Sequence, residues 1–294
     1  MTERPFARAA IIGIGLMGSS LARALRAHGL AGEVVCCDRS PAARAKALEL
    51  GIVARAEADA AAAVDGADLV VLATPLSAYA EIGARIAPAL AAGAIVTDLG
   101  SVKQAVIRDL APLLPPHVHF IPGHPVAGTE HSGPEAGFAE LFQDRWCILT
   151  PIAGTDEGAL GRVVALWERA GMRVVTMEAE HHDKVLAVTS HLPHLIAYTI
   201  VGTATELGQD LQSEVVAYSA GGFRDFTRIA ASDPVMWRDV FLNNREAVLE
   251  MLQRFTEDLT ALQRAIRWGE GDKLEDLFTR TRAIRRSIVE AKQA

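Results

Sequence analysis

Four short segments of this 294-residue chain carry polar side chains whose types and spacing suit proton transfer and anion binding. They are Asp98-Leu99-Gly100-Ser101-Val102-Lys103, Gly123-His124-Pro125-Val126-Ala127-Gly128-Thr129-Glu130, Thr189-Ser190-His191-Leu192-Pro193-His194 and Gly221-Gly222-Phe223-Arg224-Asp225-Phe226-Thr227-Arg228. An imidazole with an ordinary pKa of ~6.5 accepts a proton near neutral pH, which suits His124 to the work of a general base. Arg228 offers a planar fork that matches a carboxylate. His191 and His194 share a helix face, and Asp183 lies about three turns before His194 on nearly the same line. Pro193, inside that apolar helix, deletes a backbone hydrogen bond and kinks it. Each residue has a plain structural use on its own: His124 as a turn cap, His191 and His194 as bonded core histidines, Arg228 with Asp225 as a helix ion pair. Together they point to a site.

A fifth segment binds rather than reacts. The apolar run Ala9–Gly13 enters Gly13-Ile14-Gly15-Leu16-Met17-Gly18 and then a helix. Gly13 allows a tight turn, Gly15 lets a pyrophosphate approach the backbone, and Gly18 lets the helix pack on the strand, with free N–H groups at the helix start facing the anion. Asp38 ends the next apolar run about 20 residues on, where a carboxylate bonds both ribose hydroxyls and repels a 2′-phosphate. This favours NAD over NADP, although Arg39 and Ser40 would suit a 2′-phosphate if Asp38 turned aside. Thr74 and Pro75, at another strand end, supply a second contact, because ligands bind outside the carboxyl ends of parallel strands.

The elements that must position these groups are legible in the apolar pattern. Ala9–Gly13, Val34–Cys37, Leu69–Ala73, Ile95–Thr97, Val118–Ile121, Cys147–Leu149 and Arg173–Val175 alternate with amphipathic stretches long enough for crossover helices. That rhythm predicts an α/β, Rossmann-like domain over residues 1–178, with one parallel sheet. The Gly-, Pro- and His-rich stretch between Pro122 and Arg145 breaks it as a long loop, and such loops are usually functional. After Glu178 the strand signal ends, and an all-helical domain over 179–294 is expected, with one helix from His181 to about Leu207 and another starting at Asp233-Pro234. Long helices with apolar stripes suit pairing with a second copy, so a homodimer through this domain is expected.

Composition narrows the function classes. Half the residues are hydrophobic and only 5% aromatic, as in helices packed on a buried sheet. The net charge of −7 contains no basic run, which disfavours nucleic acid and acidic membrane surfaces as partners. No signal-like segment precedes the first strand, so a cytoplasmic location is expected. Cys36, Cys37 and Cys147 lie in apolar runs and read as small core residues. No metal-ligand spacing stands out.

The segments Gly-His-Pro-x-Ala-Gly, Ser-His-Leu-Pro-His, and Gly-Gly-Phe-Arg-Asp-Phe-Thr-Arg followed by Asp-Pro-x-Met-Trp make the chain resemble, over essentially its whole length, the prephenate and arogenate dehydrogenases of tyrosine biosynthesis. The resemblance implies NAD-dependent oxidative decarboxylation of a cyclohexadienyl substrate. It implies that His124 draws the proton from the ring hydroxyl, with Ser101 beside both hydroxyl and nicotinamide and His194 completing the pocket. Arg228 would anchor the ring carboxylate and be held in place by Asp225 or Asp183. Thr129, Glu130 and Gly221 would lie nearby, and Trp237 would reach the partner subunit's site. Glu130 facing a substrate amino group would favour arogenate. No fused mutase segment and no separate regulatory domain is expected, so feedback by tyrosine would act near the active site. Two rivals make different demands: a β-hydroxyacid dehydrogenase would use Lys184 on the first long helix, and an NAD-binding sensor would be indifferent to His124→Asn.

Overall fold

The computed structural model describes residues 4–206, 214, 218 and 221–290. Strands β1 (Phe6–Ile12), β2 (Ala31–Cys37), β3 (Arg55–Glu57), β4 (Leu69–Leu72), β5 (Ile95–Asp98) and β6 (His119–Ile121) form one six-stranded sheet in the order β3-β2-β1-β4-β5-β6, parallel throughout. Alternate residues of these strands enter two separate cores, Ala9, Ile11, Leu69 and Val71 in one, Ala10, Ile12, Val70 and Leu72 in the other. Both faces are covered, which is why the strands are unbroken apolar runs. Helices α1 (Leu16–Ala27), α2 (Pro41–Glu49) and α6 (Glu157–Arg169) feed the first core. Helices α3 (Ala60–Val64), α4 (Tyr79–Ile86) and α5 (Lys103–Leu110) feed the second. The strand order reverses between β1 and β4, the point where open α/β sheets bind ligands.

The expected single sheet is corrected after β6. Strands β7 (Gly123–Pro125), β8 (Trp146–Leu149) and β9 (Arg173–Thr176) form a second, three-stranded sheet, with β7 antiparallel to β8 and β8 parallel to β9. The cause lies at the junction. Pro122 has no N–H to continue a ladder, and the Gly123 N–H donates to Asp98 Oδ1 at 3.0 Å rather than to a strand. The stretch expected as a loop thus begins with a strand and includes a turn that buries Phe142 edge-on to Trp167, ring centroids 5.3 Å apart.

Beyond β9 no strand occurs among the described residues. Helix α7 (Ala179–Leu186) runs through a π-helical turn at Ala187–His191 into α8 (Leu192–Thr205). The extra residue in that turn accommodates the N–H that Pro193 lacks; the expected end at Leu207 lies outside the described residues. Helix α9 (Gly221–Thr227), a tight turn at Arg228–Ala231 and α10 (Pro234–Asn243) follow, and Asp233 caps α10 by accepting from the Met236 N–H at 2.8 Å. Helices α11 (Arg245–Trp268) and α12 (Gly271–Glu290) end the chain.

Contacts divide the chain into two compact units, residues 1–245 and 246–294. In the second, Leu249, Leu259, Ile266, Trp268, Phe278 and Ile284 are exposed. The stretch Ala179–Thr205 is long and apolar enough to cross a membrane by length and composition, yet it holds His182, Asp183 and His191 buried and bonded to groups elsewhere in the chain. The three cysteines are buried and unpaired, and burial followed by the nearby Asp38 pushes the Cys36 and Cys37 thiols up to about 12 and about 11.

Candidate active site

A cavity of about 430 Å³ opens over the glycine turn, the ends of β4 and β5, and β7. Gly13 has φ +97°, and a Cβ there would meet the Ala73 carbonyl; a Cβ on Gly18 would collide with the Gly13 carbonyl. A Cβ on Gly15 would meet nothing. Gly13 and Gly18 are therefore fixed by packing, whereas Gly15 leaves room on the cavity side for a ligand to touch backbone. Leu16 and Met17, the first residues of α1, also line the cavity, and no side chain caps that helix start. Its free N–H groups face an anion-sized space. Thr74 and Pro75 line the same wall, and the buried Thr74 Oγ1 has no partner within the protein.

The Asp38 carboxylate is pinned from two sides, Oδ2 accepting from Ile14 N–H at 2.9 Å and Oδ1 from Ser40 N–H at 2.8 Å. It is not free to turn aside. The Ser40 hydroxyl caps α2 by accepting from Ala43 N–H, and exposed Arg39 stands at the cavity edge. These residues fit a dinucleotide with a free ribose 2′-hydroxyl.

His124, on β7, lines the opposite wall and is buried. Its Nδ1 lies 2.9 Å from His182 Nε2, and His182 Nδ1 lies 2.7 Å from Asp183 Oδ1. The hydrogen-bond network assigns the protons. A carboxylate can only accept, so His182 Nδ1 carries a hydrogen and its Nε2 a lone pair. His124 Nδ1 must then donate, which leaves Nε2 as the basic nitrogen of His124. Burial, then the neighbouring His182, Lys103 and His191, hold the His124 pKa well below the ordinary 6.5. The ring is neutral and ready to accept at neutral pH.

Sequence reasoning gave no role to two members of this arrangement. His182 was hidden beside Asp183 in an ordinary-looking helix start. Lys103 begins α5, where the helix dipole disfavours a cation. That misfit was the available signal: Lys103 is fully buried against Asp98, Nζ to Oδ2 2.5 Å. Asp183 is placed differently from expectation. Its oxygens accept from the Lys103 and Gln104 N–H groups and from His182, so it stands behind the site and neither lines the cavity nor touches Arg228.

Ser101, Thr129 and Glu130 line the cavity. Arg228 meets it through Glu130, Nη1 to Oε2 2.9 Å; the expected partners Asp225 and Asp183 do not take this place, because α9 leaves Asp225 exposed and Asp183 is buried and spent. Gly221, at the start of α9, is not in the cavity wall. His194 lies behind the wall, its Nδ1 donating to the Ser190 carbonyl at 2.9 Å and its ring stacked on Trp237 at 3.6 Å. Trp237 is thereby buried within its own chain. Lys184, the lysine a hydroxyacid dehydrogenase would need, lies outside the cavity and bonds Glu180 at 2.6 Å.

A parallel sheet with a dinucleotide turn at its switch point and a buried imidazole across the cavity defines a nucleotide-dependent oxidoreductase. Residues 21–176 match the family described as prephenate dehydrogenase, nucleotide-binding domain, and residues 178–280 match prephenate dehydrogenase, dimerization domain. The chain belongs to the prephenate dehydrogenase family. It is 44% identical to cyclohexadienyl dehydrogenase of Zymomonas mobilis, with 96% of each chain covered. The crystal structure of prephenate dehydrogenase from Aquifex aeolicus with hydroxyphenyl propionate and NAD+ matches with a TM-score of 0.89 and 36% identity, covering 96% of this chain and 98% of that one. Synechocystis arogenate dehydrogenase matches with a TM-score of 0.78 and 28% identity, over 95% and 98% of the two chains.

Proposed function

We propose that this protein oxidatively decarboxylates prephenate to 4-hydroxyphenylpyruvate with NAD as acceptor, and takes arogenate, giving tyrosine, in the same cavity. The observation that carries this reading is the chain Asp183–His182–His124, which presents an unprotonated imidazole nitrogen across the cavity from the glycine turn. Gly15, the start of α1, Thr74 and Asp38 would hold NAD, which would supply the hydride acceptor. His124 Nε2 takes the proton of the ring hydroxyl as hydride leaves the same carbon. The bond from ring to carboxylate then breaks, CO2 departs, the electron pair of that bond makes the ring aromatic, and His124 returns its proton to the phenolate oxygen so formed. Ser101 orients the hydroxyl, and His194 supports the pocket by holding Trp237.

Arg228 receives the ring carboxylate. Glu130 already neutralises it, so an incoming carboxylate displaces Glu130, and a substrate amino group then finds that freed carboxylate at hand. Holding the ring carboxylate as an anion stabilises the ground state, so Arg228 serves binding more than decarboxylation. We assign NAD binding to residues 1–178, and pocket completion and homodimer contact to 179–294, where exposed apolar side chains on α11 and α12 support pairing with a second copy. The enzyme works in the cytoplasm on a small molecule, without nucleic acid or membrane.

The deciding experiment follows reduced nicotinamide with purified protein, offering prephenate and arogenate separately, each with NAD and NADP. Turnover with NAD supports the reading, and the ratio of the two rates sets the specificity. NAD binding without turnover of either substrate would overturn it.

A further inference from the structure

The buried pair Asp98–Lys103 touches neither the cavity nor the solvent, yet its bonds converge on the backbone beside the two reactive side chains. Asp98, the last residue of β5, accepts from Gly123 N–H at 3.0 Å through Oδ1 and from Gly100 N–H at 2.7 Å through Oδ2. Lys103 Nζ donates to Asp98 Oδ2 and to the Gly123 carbonyl, each at 2.5 Å. Gly123 is thus held at both its N–H and its carbonyl, one residue before His124. Gly100 is held one residue before Ser101. Both side chains of the pair are fully buried, and Tyr79 Oη completes the shell at 3.4 Å from Asp98 Oδ2.

The same helix start governs the orienting chain. The Lys103 and Gln104 N–H groups bind the two oxygens of Asp183 at 2.7 and 2.9 Å, and Asp183 aligns His182 against His124. A buried ion pair is weak evidence for stability, since apolar isosteres often replace one without loss. Here an isostere would restore packing but not the bonds to Gly100 and Gly123.

We propose that Asp98 and Lys103 are positioning residues for the reaction, a buried clamp that fixes the loop carrying Ser101 and the strand carrying His124 at one mutual distance and aligns the base with the hydroxyl it deprotonates. The clamp rests on the reading of His124 as proton acceptor. A misplacement of about 1 Å costs on the order of 100-fold in rate, so turnover should feel the pair and cofactor binding should not.

The charged and titratable groups around it fix the sign of a second readout. Lys103 faces Asp98, Asp183 and Cys147, and His124 faces His182, Lys103 and His191. Removing the Lys103 cation takes away a group that opposes protonation of His124.

The test compares the full-length wild type with Lys103→Met and with the neutral double variant D98N/K103M, which leaves no uncompensated buried charge and carries the same readouts if the single variant fails to fold. NAD affinity and KM should change by no more than about threefold while kcat falls on the order of 100-fold. The acid limb of the pH profile of K103M should move to higher pH. The His124 ring resonances followed by NMR should show the same upward movement without substrate, so the clamp is judged even if the wild type turns over neither prephenate nor arogenate, a result that would sink the functional reading instead. Wild-type kcat and an unmoved His124 titration in folded variants overturn the clamp. Failure of the double variant to fold overturns it too, because the pair is then structural.

Discussion

At the scale of the residue, the decisive feature is that protons are assigned by what lies behind the reactive group. His124 alone could carry its hydrogen on either nitrogen; His182, fixed in turn by Asp183, forces it onto Nδ1. His124→Asn keeps a hydrogen bond but cannot accept a proton, so kcat should fall by about 10²- to 10⁴-fold while NAD affinity is kept. Equal activity would remove His124 from the reaction. Because burial holds the free-enzyme pKa below 6.5, the base is protonated only in acid, and the acid limb of kcat/KM should lie below 6.5 rather than at it. Arg228 should show the opposite kinetic signature. A charge-assisted bond is worth about 1.5–3 kcal/mol, so Arg228→Ala should raise KM by roughly 10- to 100-fold and change kcat much less; an equal fall in kcat would mean that the arginine acts in the transition state instead.

At the scale of the element, positions follow from ends rather than middles: β5 ends on Asp98, α5 begins on Lys103, α1 begins at Leu16 just after Gly15, and β7 carries His124. The glycine turn and Asp38 were legible in the sequence because their spacing is a direct consequence of backbone geometry. The apolar strands were legible because burial on both faces leaves no polar interruption. The polar edge strand Arg55–Glu57 lacked that signal, and the second sheet was hidden because Pro122 and Gly123 redirect the chain through a bond to Asp98, 25 residues earlier in sequence. The pairing of Arg228 with Glu130 spans 98 residues and follows from no local spacing. Capping is local and therefore testable away from the site. Asp156 accepts from Ala159 N–H at 2.8 Å at the start of α6, and Asp156→Ala should cost about 1 kcal/mol of stability, read as a lowered melting temperature with unchanged kcat. A change in kcat would show that α6 is coupled to the site.

At the scale of the molecule, four histidines drawn from β7, α7, the π-helical turn and α8 are gathered inside one folded unit, and burial pushes the pKa of each of them down. The sign of the linkage follows. A histidine whose folded pKa lies below its unfolded value binds more protons when unfolded, so stability is fully present above the unfolded pKa and is lost as the pH falls toward the folded one. His191 is nearly inaccessible, and its pKa is lowered from 6.5 to about 4. That displacement alone corresponds to ~3 kcal/mol of stability present at neutral pH and lost across this window. Its Nδ1 accepts from Asn244 Nδ2 at 3.0 Å, and its buried Nε2 has no partner within the protein; protonation would set a hydrogen on Nδ1 against that donor. The melting temperature should therefore fall steeply between pH 6.5 and about 4. His191→Phe, which fills the space without titrating, should flatten that slope even if it lowers stability at neutral pH. A melting temperature that stays level across the window, or a slope untouched by His191→Phe, would show that the buried histidines do not set the acid limit of the fold.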